Sequence, residues 1–487
     1  MAGMTVESAT ALLDRLGAAA RVDGDRLEII DPDVLRRDHV DGLVFEAVFN
    51  QDQTIREACR WLIWSASQAL GCGSSSIHEL YLARGRGEFD AGAFTVPAIN
   101  VRASAYLTAR QAFAAAMERD AGAVVFEIAK SEMAYTDQRP GEYAAVILAA
   151  AIREGWQGPV FLQGDHFQFN ATKWRDDADG EMAGLRDLTR EAVAAAFLNI
   201  DIDSSTLVDL SVPTVAEQQA VNAANTVELT LLIRELQPPG VVIGVGGEIG
   251  EVGKTNSTEE ELRAYLDGYY GALHGSGIPG LTKVSIQTGT SHGGVPLPDG
   301  TVAEVKIDFD TLRRLSTVAR EEYGLAGCVQ HGASTLPEAA FHNFPANGTA
   351  EIHLATGFQN ILYDEPGLPP ELRDEMMAWC IGNCPDERKA GETDGQFLYK
   401  TRKKALGPFK QALWTLPDEA QAKIGANLRA RFGVLFDELR IAGTRSLVDR
   451  YVTPPDLPRP RPASLGGAAS EAVTAAASVF EDNGSGE

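Results

Sequence analysis

Three of the chain's eight histidines stand in short segments of one chemical design: Gly-Asp-His at 164–166, Thr-Ser-His-Gly-Gly at 290–294 and Gln-His-Gly-Ala-Ser at 330–334. Each follows an apolar run (residues 158–163, 282–288 and 325–329) and has Gly, Ser or Asp beside it. His166, His292 and His331, presented at strand ends, form a ligand set for one zinc or other divalent ion, with a fourth position left open for substrate. Asp165 precedes His166. Adjacent side chains on a strand point in different directions, so one can face the ion while the other serves as a general acid or base, or orients a histidine. Asp203 and Glu248 also fall at the ends of apolar runs.

Ligands of this kind must be positioned by a rigid frame. From residue 94 onward, apolar runs alternate with Ala-, Leu- and Glu-rich helical runs. The pairs are 95–101 with 103–119, 123–128 with 141–154, 160–164 with 181–196, 198–202 with 214–235, 241–245 with 258–273, 282–288 with 308–323, 328–331 with 336–343, and lastly 349–355. Repeated βα units of this length predict a parallel α/β fold. About eight of them favour a closed (β/α)8 barrel over an open sheet. The expected organisation is a helical N-terminal extension over 1–93, a barrel with C-terminal helices over 94–450, and a flexible tail over 451–487. Residues 5–17 and 52–70 have apolar residues at helical spacing, 21–30 reads as a hairpin, and 84–92 reads as a linker. The extension carries no catalytic constellation, so packing, oligomerisation or a lid is its expected role. The Pro-, Ala-, Gly- and Ser-rich composition after 454 predicts loose chain.

The formal net charge is −25, from 43 basic and 68 acidic residues. A diffuse acidic surface argues against nucleic acid or an anionic membrane as partner. It leaves room for an anionic small molecule, since backbone amides and one or two cations suffice to hold a phosphate. Five cysteines in so long a chain do not make a disulfide framework, and Cys380 and Cys384, spaced C-x3-C, have no second Cys/His pair nearby. With no signal-like N-terminus and no apolar run of membrane length, a cytoplasmic location is expected.

The segments TGTSHGGV, VQHGASTLPEAAFHN and EIHLATGFQN resemble the metal- and phosphate-binding segments of the class II, metal-dependent ketose-bisphosphate aldolases. Gly-Asp165-His166, Ile-Asp203-Ser-Ser, Glu248-Ile-Gly250 and the late Lys-Lys-Ala-Leu-Gly-Pro…Arg-Ala-Arg431 are similar to further segments of that family. The resemblance runs from about residue 94 to about 442. It implies a (β/α)8 barrel assembled as a homodimer or homotetramer, and Zn²⁺ held by His166, His292 and His331. It also implies that Asp203 and Glu248 lie at alternative metal positions and orient the ligands. Asp165 would move the C4 hydroxyl proton as the C3–C4 bond of a phosphorylated ketose breaks. Phosphate and substrate contacts would come from Asn100, Gly293, Gly332, Ser334, His353, Ala355, Thr356 and Arg431.

Several positions depart from the family pattern. Pro296 stands where a phosphate-holding lysine is usual, and His353 where an asparagine contacts substrate. The mobile loop reads Glu251-Val-Gly-Lys254, with Glu251 the candidate catalytic acid and Glu259 its alternative; Lys254 could meet an anion. These changes spare the metal and touch the substrate contacts. They keep two other readings open: a different metal-assisted reaction, such as epimerisation or hydrolysis, and a non-catalytic barrel serving a partner aldolase.

Overall fold

The computed structural model describes residues 8–250, 255–289, 297, 307–333 and 336–468. Eleven strands occur among them. β1 (Ala20–Asp23) and β2 (Arg26–Ile29) pair antiparallel as the hairpin expected near residues 21–30. β3 is the short Ser74–Ser75. Eight longer parallel strands follow: β4 (Val96–Asn100), β5 (Val125–Ala129), β6 (Val160–Gln168), β7 (Asn199–Asp203), β8 (Gly244–Gly250), β9 (Lys283–Ile286), β10 (Cys328–Gln330) and β11 (Glu351–Leu354). Their order is β6-β5-β4-β11-β10-β9-β8-β7, and a β6–β7 pairing closes the ring, so the fold is a (β/α)8 barrel. Almost every residue of these strands is buried, because helices cover the outside while side chains fill the inside.

The helices start and stop where local chemistry dictates. Thr214 with Glu217, and Thr258 with Glu261, form capping boxes that open the helices Val215–Leu236 and Glu259–Leu273. Pro140 opens Pro140–Glu154, and Gly155, at φ +79°, closes it. The helix expected over 336–343 is instead a 3-10 turn, Glu338–Ala340, and a short helix, Asn343–Ala346. Pro345, in the short helix, has no N–H to bond the Phe341 carbonyl, so the turn and the short helix do not join into one helix.

The N-terminal extension is fastened to the barrel floor. β3 adds to the start of β6, and Asn199 Oδ1 accepts a bond from the Ile77 amide at 2.9 Å. The helix His78–Gly85 then lies across the N-terminal end of the barrel. Gly85 approaches the Gly324 and Leu325 carbonyls so closely that a Cβ there would stand 2.0 Å from the Gly324 oxygen. The 84–92 stretch is therefore not a free linker at its start: Arg84, 1% exposed, donates to the Phe94 and Thr349 carbonyls at 2.9 and 2.8 Å.

Residues 454–468, loose by composition, run along the extension's long helix Gln53–Ala69. Trp61 and Trp64 indoles donate to the Arg459 and Leu457 carbonyls at 3.0 and 2.9 Å, the Arg459 guanidinium lies 3.6 Å over the Trp64 ring, and Arg26 grips Asp456 with two bonds. Proline-rich chain loses little conformational freedom on docking, so a few side-chain anchors hold it.

The barrel interior carries a layer of charge. Glu127, Gln163, Asp201, Lys283 and Glu351 all point inward and are buried. The Lys283 ammonium lies 2.8 Å from Asp201 and 2.8 Å from Gln163 and also bonds Glu351, while the Gln163 amide donates to Glu127 and Glu351 at 2.8 and 2.9 Å. Glycine makes room for it on β8: a Cβ on Gly246 would stand 2.3 Å from Asp201 Oδ1.

Candidate metal and catalytic centre

At the C-terminal end of the barrel, β6 delivers Asp165 and His166 together. A straight strand would send them to opposite faces. Here the β6–β7 register shifts between Gly164 and Phe167, and His166 sits at φ +39°, a left-handed conformation rare for histidine. Gly164 permits the bulge, because a Cβ there would lie 2.4 Å from the Phe167 ring. Both side chains thus face inward, 4% and 6% exposed, with Asp165 Oδ1 3.8 Å from His166 Nε2. Backbone strain at such a point is a frequent mark of a functional site.

β10 brings His331 to the same place. His166 Nε2 and His331 Nδ1 face each other at 2.9 Å, while His331 Nε2 meets the Ser285 hydroxyl at 3.0 Å. Behind His166, its Nδ1 stands 3.2 Å from both Asp203 Oδ2 on β7 and Glu248 Oε2 on β8. Asp203 is itself fixed by Gln168 at 2.6 Å and by the Ser205 hydroxyl at 2.7 Å. A carboxylate behind a ligating imidazole holds the tautomer that leaves the other nitrogen's lone pair for a cation. The donor sets Asp165/His166/His331 and His166/Asp203/Glu248 each bring one ligand atom per residue within 4.8 Å of one another. Two convergent imidazole nitrogens backed by carboxylates fit a divalent transition ion.

The electrostatics agree with a cation site. Burial works against charging His166, but Asp165, Glu248 and Asp203 outweigh it and hold its pKa well above the usual histidine value. Burial pushes Glu248 up to about 7, with the nearby Asp203 charge adding to it. Burial would also raise Asp203, but its bond to His166, then that residue's charge, Ser205 and Gln168, bring it below the ordinary range. A surplus of buried carboxylate held by a proton is a surplus that a metal ion can take over.

The residues expected to contact phosphate or substrate sit at and beyond the neighbouring strand ends. Ala355 and Thr356 begin the helix Thr356–Asp364 directly after β11, and Gly332, at φ +68°, follows His331. Arg102, just beyond β4, reaches the Thr356 hydroxyl at 3.4 Å while its Nε donates to the buried Glu132 at 2.5 Å. Asn100 lies under Asp165, Nδ2 to Oδ2 3.5 Å. Arg431 pairs with Glu338 at 2.8 Å and stacks over Phe341. Glu259 is engaged by Arg263 and Arg314, each at 3.1 Å. His292, Gly293, Pro296, Glu251, Lys254 and Ser334 lie outside the described residues.

A profile of the family described as "Fructose-bisphosphate aldolase class-II" matches residues 88–405. The chain belongs to that family. No curated protein sequence matches it. Among solved structures, a probable tagatose 6-phosphate kinase from Sinorhizobium meliloti 1021 is 17% identical over 73% of this chain and 99% of its own, with a TM-score of 0.48. A fructose-bisphosphate aldolase from Campylobacter jejuni is 17% identical over 76% and 97%, TM-score 0.45. A fructuronate-tagaturonate epimerase from Cohnella laeviribosi is 12% identical over 78% and 86%, TM-score 0.49.

Within this class-II aldolase barrel, His353 takes a place that the sequence did not indicate. Expected among the substrate contacts, it is buried between Asp165 and the charged interior layer: Nδ1 lies 3.0 Å from Asp165 Oδ1 and 3.2 Å from Glu127 Oε1, and Nε2 lies 2.7 Å from Glu351 Oε1. Its pKa is held well above the usual value, because Glu127, Asp165 and Glu351 outweigh the opposing effect of burial. Arg102 and the interior carboxylates were missed altogether. Arg102 stands two residues beyond the expected Asn100, and that spacing was the one signal available for it.

Proposed function

We propose that the protein is a metal-dependent aldolase that cleaves or forms the C3–C4 bond of a phosphorylated ketose, yielding dihydroxyacetone phosphate and an aldehyde. The observation that supports this best is Asp165 held beside the paired His166 and His331 at the C-terminal end of the barrel. His166 and His331, with His292 as the expected third, would hold the ion. When bound, that ion supplies electrophilic stabilisation of the negative charge that develops on the ketose oxygens.

The residues of the chain do the rest. Asp165 accepts the C4 hydroxyl proton as the C3–C4 bond breaks, C4 leaves as the aldehyde carbon, and the bonding electron pair passes to C3. C3 then takes a proton from a second acid, the role assigned to Glu251. Asp203 and Glu248 keep His166 oriented. Arg102 and the amides at Thr356 receive the phosphate, the guanidinium supplying the cation that Pro296 does not. The burial of Asp165 and His353 keeps bulk water from the reacting atoms. As in the family at large, a homodimer or homotetramer is the assembly we propose.

Aldol cleavage is tested on metal-analysed protein with fructose 1,6-bisphosphate and other phosphorylated ketoses, following triose phosphate. Chelator-sensitive release supports the reading. Metal-bound protein that releases none from any of them rejects it in favour of another metal-assisted reaction or a non-catalytic subunit.

A further inference from the structure

The helix His78–Gly85 precedes the residues that match the aldolase family, yet its one tyrosine enters the barrel. Tyr81, 1% exposed, points its hydroxyl at Glu351 Oε2 and donates to it. The other oxygen of that carboxylate, Oε1, accepts from His353 Nε2 at 2.7 Å, from Gln163 at 2.9 Å and from Lys283. The opposite nitrogen of His353 meets Asp165 Oδ1 at 3.0 Å. Side chains therefore run in one line from the floor of the barrel to the carboxylate beside the metal ligands: Tyr81, Glu351, His353, Asp165.

We infer that Tyr81 is a positioning residue for Asp165, and that the N-terminal extension is thereby part of the reaction centre rather than only a packing module. The inference rests on the aldolase reading, in which Asp165 moves the C4 proton.

Three donors hold Glu351 Oε1 and the Tyr81 hydroxyl holds Oε2, so Tyr81 fixes the second end of the carboxylate and with it the tilt of its plane toward His353. The His353 ring bonds a carboxylate at each nitrogen and cannot turn without losing both. Asp165 Oδ1 is thereby held toward His353, which sets where its second oxygen, Oδ2, lies. The support behind a reacting group is worth most where small displacements reduce rate. The tight seating of Gly85 against Gly324 and Leu325, and the Arg84 bonds to Phe94 and Thr349, fix the helix that carries Tyr81.

The test is Tyr81→Phe, which keeps the ring that fills the barrel floor and removes only the hydroxyl. Metal content and melting temperature should stay near wild type. The expected change is a fall in kcat of about tenfold with KM within about twofold, the split that marks a group acting in the transition state rather than in binding. The low-field proton resonances of the His353 ring, assigned with His353→Gln, should shift in Tyr81→Phe, since both ring bonds depend on where Glu351 sits. Unchanged kcat together with unchanged ring resonances would overturn the inference, as would a fall in kcat matched by an equal loss of folded protein. If wild-type protein cleaves no ketose, the aldolase reading fails. In that case the ring resonances alone decide whether Tyr81 controls the line to Asp165.

Discussion

Replacing Lys283 by Met would expose what the charged interior layer costs and what it contributes. The ammonium is 3% exposed, lies 2.8 Å from Asp201, and also bonds Glu351. At an effective dielectric constant of about 20, one such pair at that distance attracts by about 6 kcal/mol. The desolvation of three buried ions cancels much of it. Methionine fills similar volume but takes away the ammonium between two buried carboxylates and leaves them only the His353 ring as a cationic partner, which predicts a loss of about 3–5 kcal/mol. The assay is urea unfolding at neutral pH and again in acid. Burial would raise the Glu351 pKa, but Lys283 and His353 hold it far below the ordinary range. Its folded value is therefore depressed, so it contributes stability above its unfolded pKa of about 4.3 and that stability is lost as the pH falls through the folded value. Without Lys283 the depression shrinks, and the gap between variant and wild type should begin to narrow near pH ~4.3 and go on narrowing as the pH falls further. Adding Glu351→Gln should restore part of the loss. A cost under about 1 kcal/mol, or a gap that does not depend on pH, would refute a stabilising role for Lys283 in the ion layer.

Further outcomes are expected. His331→Ala should retain less than about a tenth of wild-type metal, read by elemental analysis after gel filtration. Full metal content in that variant would remove His331 from the site. Arg102→Lys keeps a charge beside Glu132 but loses the planar fork. KM for a phosphorylated ketose, and the inhibition constant for inorganic phosphate, should both rise about tenfold, the effect of losing one ~1.5 kcal/mol charged hydrogen bond; unchanged constants would place the anion elsewhere. Burial holds the His78 pKa down to about 4, so its folded value lies below the unfolded ~6.5 and it favours the folded state above that pH. Between pH 6.5 and 4 this contribution fades by up to ~3 kcal/mol, and His78→Gln should lose less stability than wild type over that window.

The barrel was legible because strands covered on both sides read as short apolar runs between helical ones. The residues at their ends, His166, His331, Asp203 and Glu248, were legible because strand ends are where a barrel places its chemistry. β8 was read several residues too early, over 241–245 rather than Gly244–Gly250. Four glycines lower its strand propensity, and that deficit reflects what surrounds them: Asp201, Tyr265 and Ser205 occupy the space that side chains on Gly246, Gly247 and Gly250 would need. The charged layer was not legible. Glu127, Asp201, Lys283 and Glu351 lie one per strand, far apart in the chain, and only closure of the sheet brings them together. The bulge at His166 was hidden for a similar reason, since a positive φ at a histidine has no composition signal. The extension looked like a separate module because the bonds that bind it to the barrel, from Tyr81 and Arg84, run to residues some 270 and 265 positions away.

The most direct test is triose phosphate release from a panel of phosphorylated ketoses by protein of known metal content, before and after chelation and after restoring Zn²⁺. Cleavage of at least one ketose is expected, lost with the metal, restored with it, and abolished in Asp165→Asn protein that still binds the ion. Metal-loaded protein that cleaves none of them, or cleavage that persists in Asp165→Asn, would contradict the aldolase reading.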